Sequence, residues 1–245
     1  MNNSLLELKE LYSQEYINVT HLTAVIPEVA NKNIVPNVYR SPLFKLQNVF
    51  VKRLLDLLIS FLAILFILSW LMPILAILIK LDSVGPVFFI QKRNKKDGKF
   101  FYCLKLRTMI VNADSDTLTA TINDRRITSL GKFLRRSHLD ELPQFINVLI
   151  GDMSIIGPRP HMYVENIKYH ERYNFYNERH AVKPGITGLA QSLGYHGPIS
   201  NATQLEKKIA YDIFYIQHWS LAMDAKILIN TIITIYKKFA YPLKS

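Results

Sequence analysis

The stretch SHLDELPQFINVLIGDMSIIGPRP, from Ser137 to Pro160, gathers the groups that handle phosphate. Asp140 and Glu141 are neighbouring carboxylates, and Arg159 stands between two prolines further along. Adjacent side chains on a regular helix point in different directions and make a poor acid–base pair. At a helix start both can face one ligand, beside unpaired N–H groups that favour anions. Pro143 suits a first helical turn and places such a start near Asp140. Two readings of Asp140 follow: a nucleophile working beside phosphate and metal, or a plain N-cap. Arg159, on a loop stiffened by Pro158 and Pro160, suits a bidentate grip on phosphate, although an arginine between prolines also serves simply to brace a turn.

More cations surround this stretch. Lys105 and Arg107 alternate with Leu104 and Leu106 in CLKLRT, so both project from one strand face. Such a pair is often only solvated. Arg125, Arg126, Arg135 and Arg136 nearby favour an anion-facing cleft instead. There is no Walker loop, and the histidines do not fall at zinc-ligand spacing. Magnesium held by carboxylates and substrate phosphates needs no such signature.

The elements that position these groups follow from composition. The chain has 245 residues, a formal charge of +11, one cysteine and nine glycines. That charge suits a polyanionic partner: nucleic acid, anionic lipid or a phosphorylated substrate. Cys103 alone allows no internal disulfide. Residues 1–47 are polar and punctuated by proline, with one short helix expected in SLLELKELYSQ and no cleavable signal peptide. From Leu57 to Ile79 no residue carries a charge, a run long enough to enter or cross a hydrocarbon core. Lys52 and Arg53 flank one end; Lys80, Lys92 and Arg93 follow the other. Basic residues on both sides give none of the asymmetry of a simple spanning helix. Pro73 interrupts the run and predicts a bend, with Ser69 placed to bond the backbone groups freed there. A re-entrant helix over 48–82 is therefore expected, a kinked spanning helix being the alternative. Beyond it, FFIQKRNKKDGKFFYCLKL predicts a hairpin turning at Asp97-Gly98. RITSLGKFLRRS predicts a basic amphipathic helix, and a helix follows Pro143 as far as Leu149. YVENIKYHERYNFYNERHAVKPGITG predicts one charged, aromatic helix closed by a Pro-Gly turn. Two more amphipathic helices lie between Ala202 and Ala240, and AKILINTIITIY within them is too short to span a bilayer.

Taken together, KRLLD, GPVFFIQKR, KLRTM, DRRITSLGKFLRRSHLDELPQFINVLIGDMSIIGPRP, KPGITGLAQ and YDIFYIQHWSLAMDAKIL resemble the bacterial sugar transferases. These enzymes load a hexose 1-phosphate onto a polyprenyl phosphate, and the resemblance covers about Lys52 to Tyr236. It implies a monotopic, mostly helical α+β protein: an N-terminal extension (1–47), a re-entrant membrane helix (48–82) and a cytoplasmic catalytic domain (83–240) at the inner membrane. It implies that Asp140 is the nucleophile and that Glu141 holds Mg²⁺. Lys105, Arg107 and Arg159 would face substrate phosphates, and Lys183 and Gly185 of KPGITG would approach the nucleotide. The implied partners are a UDP-sugar, undecaprenyl phosphate and membrane lipid, with self-association left open. The C-terminal pattern resembles glucose- or galactose-type members more than acetamido-sugar ones. Lys95, His138, Met72 and Arg126 depart from residues common in the family, and none of them is the implied nucleophile.

Two rival classes are weighed against this reading. A non-catalytic basic membrane scaffold of a polysaccharide assembly complex would have no need of Asp140. A nucleic-acid-binding protein follows from charge alone, leaves the apolar run unexplained and offers no reading motif, so nucleic acid is not expected as a partner.

Overall fold

The computed structural model describes residues 37–240 apart from 115–117, 119, 122–123, 174, 196, 198 and 200, and excludes the side chains of 238–240. The helix expected in SLLELKELYSQ lies outside the described residues. A 37-residue helix, Leu46–Asp82, comes first and is long and apolar enough to cross a membrane. It comprises α1 (Leu46–Ala63), a π-turn (Ile64–Leu68) and α2 (Ser69–Asp82). Phe61, Leu65, Phe66, Trp70 and Ile77 stand exposed along it, a surface suited to hydrocarbon. The backbone departs from α geometry ahead of Pro73, and helix continues through the proline itself. In the π-turn the Ser69 N–H reaches back to the Ile64 carbonyl. Ser69 Oγ donates to the Leu65 carbonyl at 2.6 Å, and Trp70 Nε1 to the Phe66 carbonyl at 2.7 Å. Ser69 thus bonds backbone as expected, within a widened turn rather than a break at the proline.

After the helix, β1 (Phe88–Asn94) and β2 (Phe100–Leu106) pair antiparallel, Phe88 opposite Leu106. Asp97 and Gly98 turn the chain with φ of 60° and 69°, a region aspartate tolerates and glycine enters freely. The Thr128 hydroxyl accepts from Gly131 N at 2.9 Å and caps α3 (Ser129–Ser137). His138, at φ 57°, ends that helix and starts a 3₁₀ turn, Leu139–Glu141. Then comes α4 (Gln144–Ile150), closed by Gly151 at φ 103°. β3 (Ser154–Ile156) pairs in parallel with β4 (Gly185–Thr187), so a crossover must separate them. α5 (Tyr163–Arg172) and a 3₁₀ turn, Tyr176–Ala181, supply it. The single helix expected here is split because Tyr173, Phe175 and Tyr176 are all buried. On one continuous helix Phe175 would point away from the face shared by Tyr173 and Tyr176. α6 (Leu189–Ser192), α7 (Ala202–Gln217) and α8 (Leu221–Ala240) complete an α+β fold. Its main core joins Val148, Met153, Ile155, Phe175, Ile209 and Ile213.

Both ends of the long helix attach to this one domain. Near its start, Lys52 Nζ lies 2.7 Å from Asp224 Oδ2, and Arg53 donates to the Val148 and Leu149 carbonyls. Asp56 Oδ1 accepts from Ser154 Oγ and Ile155 N at 3.0 and 2.9 Å. At its end, the Arg107 guanidinium donates to the carbonyls of Ile79, Ser83 and Val84. These carbonyls lie at the last turn of α2 and just past it, and that of Ile79 also accepts from Ser83 N at 3.2 Å. Leu75 and Ile79 pack there on Leu106 and Leu134.

Candidate active site

Asp140 and Glu141 lie in the 3₁₀ turn, ahead of α4 rather than at its first residue. Pro143 occupies the cap position of α4, where no side chain caps the helix, so the plain N-cap reading of Asp140 is not what the structure shows. Both carboxylates are buried, yet both line one cavity of about 430 Å³. Lys105, Arg135, His138 and Arg159 line the same cavity.

The two carboxylates differ in their partners. Glu141 Oε1 accepts from Lys105 Nζ at 2.7 Å and from Arg159 Nη2 at 2.6 Å, while Oε2 accepts from Arg159 Nη1 at 3.2 Å. Burial pushes the Glu141 carboxyl up, but Arg159 and Lys105 together outweigh it and hold the group well below the usual range. The Glu141 charge in turn raises the Arg159 guanidinium. Asp140 goes the other way: burial, aided by the neighbouring Glu141 charge, lifts it to about 6 against the pull of Lys105, Arg135 and Arg159. A buried carboxylate raised this far, beside one that stays ionised, is a common arrangement where carboxyl groups take different chemical roles.

The structure brings Asp140, Glu141, Lys105 and Arg159 together around the cavity. Arg107 lines the cavity, but its guanidinium is spent on the carbonyls that end α2. Lys183 and Gly185 are not among the cavity-lining residues. A Cβ on Gly185 would come within 2.1 Å of Gly157 N, so this glycine lets the KPGITG backbone press on the GPRP loop. Lys183 lies on the side of Gly151 and Arg53.

Several residues that no sequence signal assigned to the site hold Arg159 in place. Arg179 Nη2 donates to the Arg159 carbonyl at 2.7 Å, and Arg179 is itself paired with Asp212 Oδ2 at 2.5 Å in the core. Arg93 donates to the Pro160 carbonyl and to Gln91 Oε1. A backbone threading between prolines offers carbonyls without matching N–H groups, and buried guanidiniums satisfy them. That need was readable from GPRP; which arginines meet it was not.

Among the described residues no three His, Cys, Asp or Glu side chains come together. A hard divalent cation shared with substrate phosphates needs only one or two carboxylates. Glu141 meets that requirement: it stays ionised, and its Oε2 takes a single long hydrogen bond among those to Arg159 and Lys105.

The family described as bacterial sugar transferases matches residues 47–238. The chain is 43% identical over 230 residues to a UDP-glucose:undecaprenyl-phosphate glucose-1-phosphate transferase of Klebsiella pneumoniae, covering 94% of this chain and 48% of that protein. It is 41% identical over 189 residues to the exopolysaccharide production protein PSS of Rhizobium leguminosarum bv. phaseoli, covering 75% of this chain and 94% of that one. A UDP-N-acetylgalactosamine-undecaprenyl-phosphate N-acetylgalactosaminephosphotransferase of Aeromonas hydrophila is 38% identical over 230 residues, with 94% and 53% covered. The chain spans about half the length of the Klebsiella and Aeromonas relatives. With the family match running across most of its length, this chain belongs to the bacterial sugar transferases.

Proposed function

We propose that this chain transfers a hexose 1-phosphate, glucose or galactose in preference to an acetamido sugar, from a UDP-sugar to undecaprenyl phosphate as the first step of a surface polysaccharide pathway. The observation that carries the reading is the buried Asp140–Glu141 pair, one carboxyl raised and the other pinned between Lys105 and Arg159. An Asp140 oxygen attacks the phosphorus that bears the sugar. The bond from that phosphorus to the oxygen bridging the two phosphates breaks, and UMP leaves with the bonding electrons. The aspartyl phosphosugar is then attacked by an oxygen of undecaprenyl phosphate, which restores the carboxylate and yields the lipid diphosphate sugar. Two easier displacements replace one difficult transfer. Burial raises the nucleophilicity of Asp140, and bonding to phosphorus discharges the anion that burial disfavours. Lys105 and Arg159 lie one bond from Glu141 and can turn toward phosphate oxygens that enter the cavity. Glu141 is the residue that would hold Mg²⁺. When bound, the ion supplies charge neutralisation on the diphosphate.

The acceptor cannot leave the bilayer, so the enzyme must meet it there. We infer that Leu46–Asp82 enters the inner membrane from the cytoplasmic face and returns to it. The attachments at Lys52, Arg53 and Asp56 at one end and Arg107 at the other support that course.

The test is trapping. With a UDP-sugar and no lipid, the protein should release at most one equivalent of UMP and keep the sugar phosphate in a hydroxylamine-labile bond. Asp140→Asn, too weak a nucleophile to form that bond, should remain unlabelled while still folded. A labelled Asp140→Asn protein would refute the assignment, and a wild type that turns over with lipid without any trapped adduct would favour single-step transfer.

A further inference from the structure

The cavity lining includes residues of α6 and α7, among them one whose side-chain acceptor the protein leaves without a hydrogen bond. Gln191 is 8% exposed, lines the cavity, and its Oε1 has no hydrogen-bond partner among the described residues. The orientation of this amide is set by chemistry: Nε2 donates to the Ile186 carbonyl at 3.2 Å, a bond the oxygen could not make. Buried polar atoms are almost always satisfied, and leaving one bare costs folding free energy. The other bare acceptors among the described residues, on Ser60, Asn94 and Asn166, do not line the cavity.

A Cβ on Gly188 would come within 2.3 Å of the Gly157 carbonyl, so α6 starts in contact with the loop that carries Arg159. Lys208, 7% exposed, reaches the cavity from α7 and donates to the Gly197 carbonyl at 2.9 Å. An ammonium carries three donors, so it can serve a ligand beside that carbonyl. A bare acceptor and a buried ammonium lining one cavity suit a ligand that presents both a donor and an acceptor.

Resting on the reading of a sugar-nucleotide donor, we propose that Gln191 Oε1 accepts a hydrogen bond from that donor, with Lys208 bonding an adjacent oxygen. The imide edge of uracil and a sugar hydroxyl pair share this chemistry. A site built to bond a polar hydrogen rejects ligands that lack it, which makes Gln191 a specificity-determining residue.

Binding tests this without turnover. UDP-glucose and UMP are titrated calorimetrically into the full chain carrying Asp140→Asn, so that no adduct forms, and then into the same protein with Gln191→Met or Gln191→Leu added. Thermal unfolding is followed in parallel. Both apolar variants should bind UDP-glucose about tenfold more weakly, 1.4 kcal/mol, with Tm changed little, because removing the bare acceptor offsets the loss of the Nε2 bond to the Ile186 carbonyl. Equal weakening of UMP places the contact on uracil; retained UMP affinity places it on the sugar. Retained affinity for both ligands, or affinity lost only together with Tm, overturns the proposal. A parent that binds UDP-glucose while the wild type releases no UMP sinks the transfer reaction and leaves the subsite to its own titration. A parent that binds neither ligand sinks both.

Discussion

At the scale of single residues, the site works through contrast between two neighbours. Glu141 is an anion made permanent by Arg159 and Lys105, whereas Asp140 pays for its burial with a carboxyl raised to about 6. A carboxylic acid attacks only when deprotonated. Adduct formation should therefore fall away as pH drops through about 6, and a rate of UMP release that stays flat down to the ordinary aspartate range would contradict the role of burial. Glu141→Gln keeps the shape and deletes the charge. It leaves two buried cations facing an amide and should lower turnover by about 10³-fold, the scale seen when one preorganised electrostatic group is removed. EDTA should abolish the wild-type reaction; undiminished turnover in EDTA would rule out the metal role of Glu141. Asp140 and Glu141 were legible as a pair because adjacent carboxylates near a proline and an arginine are chemically conspicuous. Different roles for the two were implied by the resemblance alone; the contrast in their charge environment was not legible, since it depends on Lys105 and Arg159 arriving on one carboxylate from separate elements.

At the scale of elements, backbone packing seats Arg159. Gly185 abuts Gly157 so closely that an added Cβ finds backbone, not a yielding side chain, at 2.1 Å. Gly185→Ala should therefore cost about 2 kcal/mol or more of stability, the range of overpacked cores. It should also weaken turnover by displacing the GPRP loop. A variant with unchanged Tm and rate would show that the strands separate without consequence. Nothing in the KPGITG pattern by itself revealed this packing, because its glycine answers to backbone at Gly157, far away in sequence. Local signals fared better. The hairpin at Asp97-Gly98, α3 and the pair α7 and α8 follow from turn chemistry and periodicity that neighbours in sequence already carry. The helix expected through Tyr173 failed because core demand at Phe175 overrode its periodicity.

At the scale of the whole molecule, the question is how one domain holds both ends of a helix that looks built for hydrocarbon. Lys52 on Asp224, itself bonded by Tyr215 and Trp219, fixes the first arm, together with Arg53 and Asp56. Arg107 fixes the other end through three carbonyls. A domain on one side of a bilayer can keep both sets of bonds only if the helix does not end on the far side. Basic residues flank both ends, and the anionic cytoplasmic leaflet attracts such segments. Reporter tags at Met1 and at Ser245 should therefore both lie on the cytoplasmic side, and a periplasmic Met1 tag would sink the re-entrant course. Pro73→Leu supplies the N–H that the turn lacks and favours a straight, spanning helix. Spanning would carry Lys52, Arg53 and Asp56 away from their partners, so those bonds oppose it. Pro73→Leu combined with Lys52→Met and Asp56→Leu, which leaves no acceptor for Ser154 and Ile155, should then shift more of the Met1 tag outward than Pro73→Leu alone. Equal topology in the two proteins would show that the docking bonds do not hold the helix in place.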